Sequence, residues 1–269
     1  MVSLELEARL DNLLYTAQAE TADIDLFAPI QEKEECPICM IPLPIKEEEI
    51  RFMTCCGKKI CDGCNYKHAV KHIEKMTTQA TQGAPLEERK CAFCCQSQSQ
   101  WDSITSVLMK KNKPYAFVQM SERYKSGDGV LQSYTRSLEM IIRAAELGDA
   151  NAFAIIAIYY QEGTVVEQNE SKVLEYQEVA AKKGSVGAHN DLAVTHSRNR
   201  NVQLMIKHLK IVASAGYKEA MDSLMDYYKN NELLTKAELA ETLRAFQTSK
   251  NAMKSKDRDD ARTARDDGF

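Results

Sequence analysis

The sequence predicts a mainly α chain: a small cysteine-held module of short strands plus a helix, followed by an α-solenoid of helix pairs. Two observations carry most of this. All nine cysteines fall between Cys36 and Cys95, 60 of 269 residues. Downstream, Ala144-Ala145-Glu146-Leu147-Gly148 recurs as Ala180-Ala181-Lys182-Lys183-Gly184 and as Val212-Ala213-Ser214-Ala215-Gly216, with the glycines 36 and then 32 residues apart. The composition agrees: 44% hydrophobic and 28% charged, with six prolines, is that of a globular chain of one or two domains at this length.

The cysteines fall as Cys36-x2-Cys39, the doublet Cys55-Cys56, Cys61-x2-Cys64, and Cys91-x2-Cys94 followed by Cys95. A CxxC pair holds two thiolates close enough to share one tetrahedral zinc, at metal–sulfur distances of about 2.3 Å. Three such pairs and the doublet supply eight thiolates, enough for two structural zinc ions in closed four-cysteine sites. A disulfide framework or scattered free thiols is the alternative. Metal is favoured because the cysteines cluster in a chain whose first residues, MVSLELEARLDN, are not a basic-then-apolar secretory signal. Reduced cysteines set the expected location as cytoplasm or nucleus.

ECPIC at Glu35–Cys39, CCGKKICDGC at Cys55–Cys64 and KCAFC at Lys90–Cys94 together resemble the RING zinc-finger family. That resemblance implies crosswise pairing: Cys36, Cys39, Cys61 and Cys64 on one zinc, Cys55, Cys56, Cys91 and Cys94 on the other. Where the family commonly has histidine this chain has Lys58, whose ammonium has no lone pair for zinc. Cys55 is the nearest replacement, and Gly57 can relieve the tight backbone of two adjacent ligands. His68 or His72, on a helix expected over about 65–78, is the rival ligand. Cys95 is left over as a small hydrophobe.

Residues 1–34 read as an N-terminal helix and linker. Leu4, Leu6, Leu10, Leu13 and Leu14 make a partly amphipathic helix that packs on its own protein. The cluster Ile24, Leu26 and Phe27 is expected to dock on the zinc module. Within that module, residues 35–96, Pro42 and Pro44 precede a short strand at Ile50–Met53. Residues 97–112 are a linker helix, with Trp101 packed where the two halves meet.

Residues 113–250 carry the repeat. Ala116, Ala152, Ala188 and Ala220 align, as do Tyr124, Tyr160, His196 and Tyr228. Gly148, Gly184 and Gly216 stand where a helix end wants a left-handed residue. Two helices per unit at this period mean stacked helix pairs, with a generic helical bundle as the alternative. The units resemble the Sel-one-like repeat, a relative of the tetratricopeptide repeat. The third unit is clipped at Ser197–Asn201, and the fourth, from Lys218, is the capping unit. Residues 251–269 are a polar tail, expected to be a fraying helix end or disordered.

Neither a nucleophile–base pair nor a phosphate loop is present. Gly127-Asp128-Gly129 is a turn, because no strand precedes it. The histidines are scattered. A net charge of −4 argues against a general electrostatic grip on nucleic acid, though a local basic patch stays open. No apolar run reaches the 18 residues of a membrane span.

The RING resemblance implies a ubiquitin ligase, an aminoacyltransferase with no covalent site of its own. It would bind a ubiquitin-conjugating enzyme and recruit substrate through the repeats. Ile38 matches the family's contact residue in the first knuckle. His68, Ala92 and Cys95 replace its bulky apolar, proline and basic positions. The alternative is a non-catalytic protein–protein interaction adaptor with a structural zinc module.

Overall fold

A computed structural model describes residues 4–30, 34–44, 46, 49–53, 56, 58–81, 91, 105, 108–230 and 233–266. Trp101 lies outside them. The chain divides into two compact units, residues 1–31 with 109–247, and residues 32–108 with 248–269.

The first unit is a stack of helix pairs. Helices α3 (Pro114–Ser126), α4 (Tyr134–Glu146), α5 (Ala150–Glu162), α6 (Glu170–Lys182), α7 (Val186–Arg198), α8 (Val202–Ser214) and α9 (Lys218–Asn230) follow one another, each packed on the next. Helix α10 (Lys236–Ala252) closes the series, and Leu239 and Phe246 pack on the α8–α9 cluster.

The predicted glycines do the work expected of them. Gly148, Gly184 and Gly216 have φ of 89°, 95° and 109°. At the first, the Gly148 N–H donates to Ala145 O and the Asp149 N–H to Ala144 O, the paired bonds that close a helix end on a left-handed residue. The same two bonds recur at Gly184 and Ser185, and at Gly216 and Tyr217. Asp149 and Ser185 then cap the next helix, accepting from the N–H groups of Ala152 and Ala188. One residue thus ends one helix and starts another. Ala116, Ala152, Ala188 and Ala220 are all buried, where small side chains let helices close up. The clipped third turn runs from Asn199 to Asn201, and Arg200 takes the left-handed conformation with φ 56°.

Helix α1 (Leu4–Glu20) belongs to this unit. Leu6, Leu10, Leu13, Leu14 and Ala17 join the repeat core, against α4 and α6. The Tyr176 hydroxyl donates to Leu10 O at 2.7 Å. Ion pairs Arg9–Glu146, Lys172–Asp11 and Lys183–Glu20 flank the stripe.

Residues 21–30 depart from expectation. Leu26 packs against the repeat core and the Phe27 ring lies 5.0 Å from that of His208, so this segment docks on the repeats. The repeats offer an apolar shelf that Leu26 and Phe27 can cover.

In the second unit, β1 (Ile50–Met53) pairs antiparallel with β2 (Lys58–Cys61), Ile50 opposite Cys61. Helix α2 (Asp62–Thr81) follows directly, longer than expected at both ends. Among the described residues the core here is Leu43, Met53 and Ile60 beside Cys36, Cys61, Cys64 and Cys91. Against α2 packs α11 (Lys256–Asp266), which replaces the fraying end or disorder expected for the tail. The helix has almost no apolar stripe; it is held by polar contacts described below. Among the described residues no helix is long and apolar enough to cross a membrane.

Candidate metal centre

Residues 34–43 form a looped knuckle closed by backbone bonds, Cys36 N–H to Ile41 O at 2.9 Å and Met40 N–H to Cys36 O at 2.8 Å. Met40 takes φ 56° to complete the turn. The β1–β2 hairpin then delivers Cys61 at a strand end, and the first turn of α2 delivers Cys64. The four sulfurs of Cys36, Cys39, Cys61 and Cys64 all lie within 4.8 Å of one another.

This group fits a metal ion. A tetrahedron with metal–sulfur distances of about 2.3 Å has edges of about 3.8 Å. Cys39 Sγ and Cys61 Sγ are 3.8 Å apart. Backbone N–H groups point at the sulfurs, from Cys61 to Cys36 Sγ and from Cys64 to Cys61 Sγ, both at 3.4 Å. Cys36, Cys39, Cys61 and Cys64 form no disulfide. Four cysteines this close, without a disulfide, can hold a metal ion.

The electrostatics point the same way. Burial pushes the Cys36 thiol up, but the N–H groups of Cys39, Cys61 and Ile38 outweigh it and bring it down to about 7. Burial pushes Cys61 up, and Cys64 further, with the Cys61 sulfur adding to the effect. Neighbouring sulfurs resist ionising together, and a bound divalent cation removes that conflict.

A second sulfur pair has the same spacing. Cys56 Sγ and Cys91 Sγ are 3.9 Å apart. Cys55, Cys94, Cys95 and Ala92 lie outside the described residues. His68 and His72 sit on α2, half-buried, and are not members of the four-cysteine group. Ile38, between the knuckle cysteines, is 41% exposed.

Around the first group runs a shell of charge that the sequence reading missed. Asp62, buried beside Cys61, accepts from Arg51 at 2.8 Å and from Arg265 of α11 at 2.9 Å. Arg262 reaches Glu49 at 3.3 Å, and Lys67 pairs with Asp257 at 2.9 Å. Arg258 of α11 lies nearest the sulfurs, with Nη2 3.8 Å from Cys39 Sγ. Gly63 makes this docking possible: a Cβ there would lie 2.6 Å from the Arg258 backbone nitrogen. The signal available in the sequence was Gly63 between two ligands and arginines spaced along one helical face.

The histidines are not scattered. His189 and His196 on α7 and His208 on α8 stack in the repeat unit, His189 Nδ1 3.0 Å from His208 Nδ1. Their sequence signal was the seven-residue step from His189 to His196, two helical turns. Burial lowers His189 to about 4 and, with its charged neighbours, His208 to about 3. A groove of about 270 Å³ lies elsewhere on this unit, between Tyr160, Val173, Leu174 and Arg198.

No family model matches the chain. No curated protein matches it either. Among solved structures it is similar to a Sel1 repeat protein from Oxalobacter formigenes, at 22% identity and TM-score 0.48, covering 69% of this chain and 73% of that one. It is also similar to c5321, a protective antigen of uropathogenic Escherichia coli displaying an SLR fold, at 15% identity and TM-score 0.46, covering 65% of this chain and 38% of the other. The helix-pair architecture stands on this chain's own caps and period.

Proposed function

We propose that the second unit binds two structural zinc ions through Cys36, Cys39, Cys61 and Cys64 and through Cys55, Cys56, Cys91 and Cys94, as a RING-type module. In this reading it is a ubiquitin ligase whose helical repeats recruit the substrate. The observation that carries it is the order of the sulfurs. Cys36 and Cys39 meet Cys61 and Cys64, skipping the doublet between them, while Cys56 meets Cys91. That alternation is what crosswise pairing requires, and independent fingers strung along the chain would not produce it. Four thiolates leave zinc no open position, so the ion supplies rigidity, not catalysis. The chain's own part is positioning: Ile38, exposed in the knuckle, contacts the conjugating enzyme. A substrate lysine amine then attacks the ubiquitin thioester held there, forming an amide and releasing the conjugating enzyme's cysteine thiol.

Autoubiquitination with a panel of conjugating enzymes tests this. Weak discharge is expected, abolished by Ile38→Ala. Cys95→Arg should raise it roughly tenfold, because a guanidinium restores charge-assisted hydrogen bonds of about 1.5–3 kcal/mol each. Absence of discharge across the panel, Cys95→Arg included, would refute the ligase. The adaptor reading is favoured by His68, which on α2 takes the place of the family's bulky apolar contact. In that reading zinc content stays at two per chain with no ubiquitin transfer.

A further inference from the structure

Arg258 is 7% exposed. Buried arginines are almost always paired with an anion. This one is not, in the ordinary sense: Nη1 donates to Pro42 O at 2.8 Å and Met253 O at 3.0 Å, and Nη2 to Ile41 O at 3.3 Å and Cys39 Sγ at 3.8 Å. Nε has no partner. Carbonyls satisfy the donors but leave the positive charge uncompensated, at a cost of several kcal/mol in a low-dielectric site. Among the described residues no carboxylate pairs with Arg258. The remaining anionic candidates are the sulfurs beside it. Four thiolates around a divalent ion carry a net charge of −2, itself costly to bury. Each charge accounts for the other.

We propose that Arg258 is part of the metal centre, the counter-charge and hydrogen-bond donor to its thiolate ligands, so that the ion is held by four cysteines and by a helix 194 residues beyond the last of them. The proposal rests on the zinc reading above and adds a residue to it. The surrounding contacts serve this placement. The Ser255 hydroxyl accepts from the Arg258 N–H at 3.2 Å and starts α11 at that point. Gly63 admits its backbone, and the pairs from Lys67 to Asp257 and Arg265 to Asp62 fix the helix at both ends. Arg258 is a positioning residue: it touches the ligands, not the ion.

The experiment uses the full-length zinc-loaded protein, its metal content measured first, and follows zinc release to a chromogenic chelator. Loss of such supporting hydrogen bonds typically costs about 10- to 100-fold in metal affinity. Arg258→Met should release zinc at least about tenfold faster, while Lys218→Gln, which breaks only an exposed pair with Asp222 on α9, should match the native protein. Arg258→Lys keeps the charge and should restore most of the retention. A merely structural role is separated by cobalt substitution. An N–H···S bond lowers the energy of the sulfur electrons, so the sulfur-to-cobalt charge-transfer band should move to longer wavelength in Arg258→Met. Native-like release and an unmoved band in Arg258→Met overturn the proposal. Should that variant fail to fold, Arg258→Lys decides: retained zinc supports the proposal, and loss overturns it. A native protein that takes up neither zinc nor cobalt overturns the zinc reading and this one with it. Metal bound normally but released equally by all variants overturns this one alone.

Discussion

The two units solve the same problem with different materials. The repeat unit buries a continuous apolar core, from Leu6 of α1 through Leu192 of α7, and closes its helix ends on left-handed glycines. Among the described residues, the second unit's core cluster holds Leu43, Met53 and Ile60 beside its cysteines. Three apolar side chains offset little of the entropy of ordering the loops they pack against. Four clustered sulfurs able to hold an ion, and a row of arginines, stand where apolar side chains would otherwise pack. The difference teaches where each unit is vulnerable: one to lost methylenes, the other to lost charge and metal.

The largest effect that would sharpen this contrast is metal removal. Binding at such zinc sites is worth about 10–16 kcal/mol and is coupled to folding. Chelation should unfold residues 36–95 together with α11, and leave the helical signal of the repeats. A far-ultraviolet circular dichroism spectrum that collapses entirely on chelation would break the comparison. Next comes Leu10→Ala. Leu10 is fully buried against the repeats, and its truncation should cost about 2–5 kcal/mol. The loss should appear in urea denaturation of the repeat unit, with zinc content unchanged.

Acid is expected to act on the repeats through His189 and His208. Both have native pKa values, about 4 and about 3, below the ordinary 6.5. The unfolded chain therefore binds more protons below pH 6.5, and stability falls as the pH drops from there to about 3. Above 6.5 these groups contribute no pH dependence. The thermal midpoint of the repeat transition, measured from pH 7 to pH 4, checks this; His208→Gln should flatten the profile. The smallest effect is Ser185→Ala, which removes the hydroxyl accepting from the Ala188 N–H and should cost about 1 kcal/mol.

The parts of the molecule legible in its sequence are those built on local rules. Small residues before a glycine, 36 and then 32 residues apart, gave the stacked pairs, because a left-handed helix end favours glycine. The CxxC spacing marked sulfurs for a shared ion, because it brings two thiolates within reach of one tetrahedral metal. Three things were not legible. Strand β2 is four residues, Lys58–Cys61, exposed at one end and buried at the other, with no alternation to read. The partner of the Leu10 stripe could be any apolar surface. Helix α11 advertises no apolar face, because its anchors are guanidiniums on carbonyls and sulfur and one bare Cα at Gly63. Polar segments that dock by charge look, letter by letter, like segments that do not dock.

The second unit is assembled from residues 32–108 and 248–269, with the repeats inserted between. Its consequence is one of timing. A ribosome delivers the knuckle cysteines first and Arg258 only after the whole repeat stack. At about 5–20 residues per second that interval, the 194 residues from Cys64 to Arg258, lasts roughly 10 to 40 s. During it the nascent thiols stand without their counter-charge, open to oxidation or to the wrong cation. The cluster begun by the knuckle and hairpin therefore gains its buried guanidinium only once Arg258 has been made.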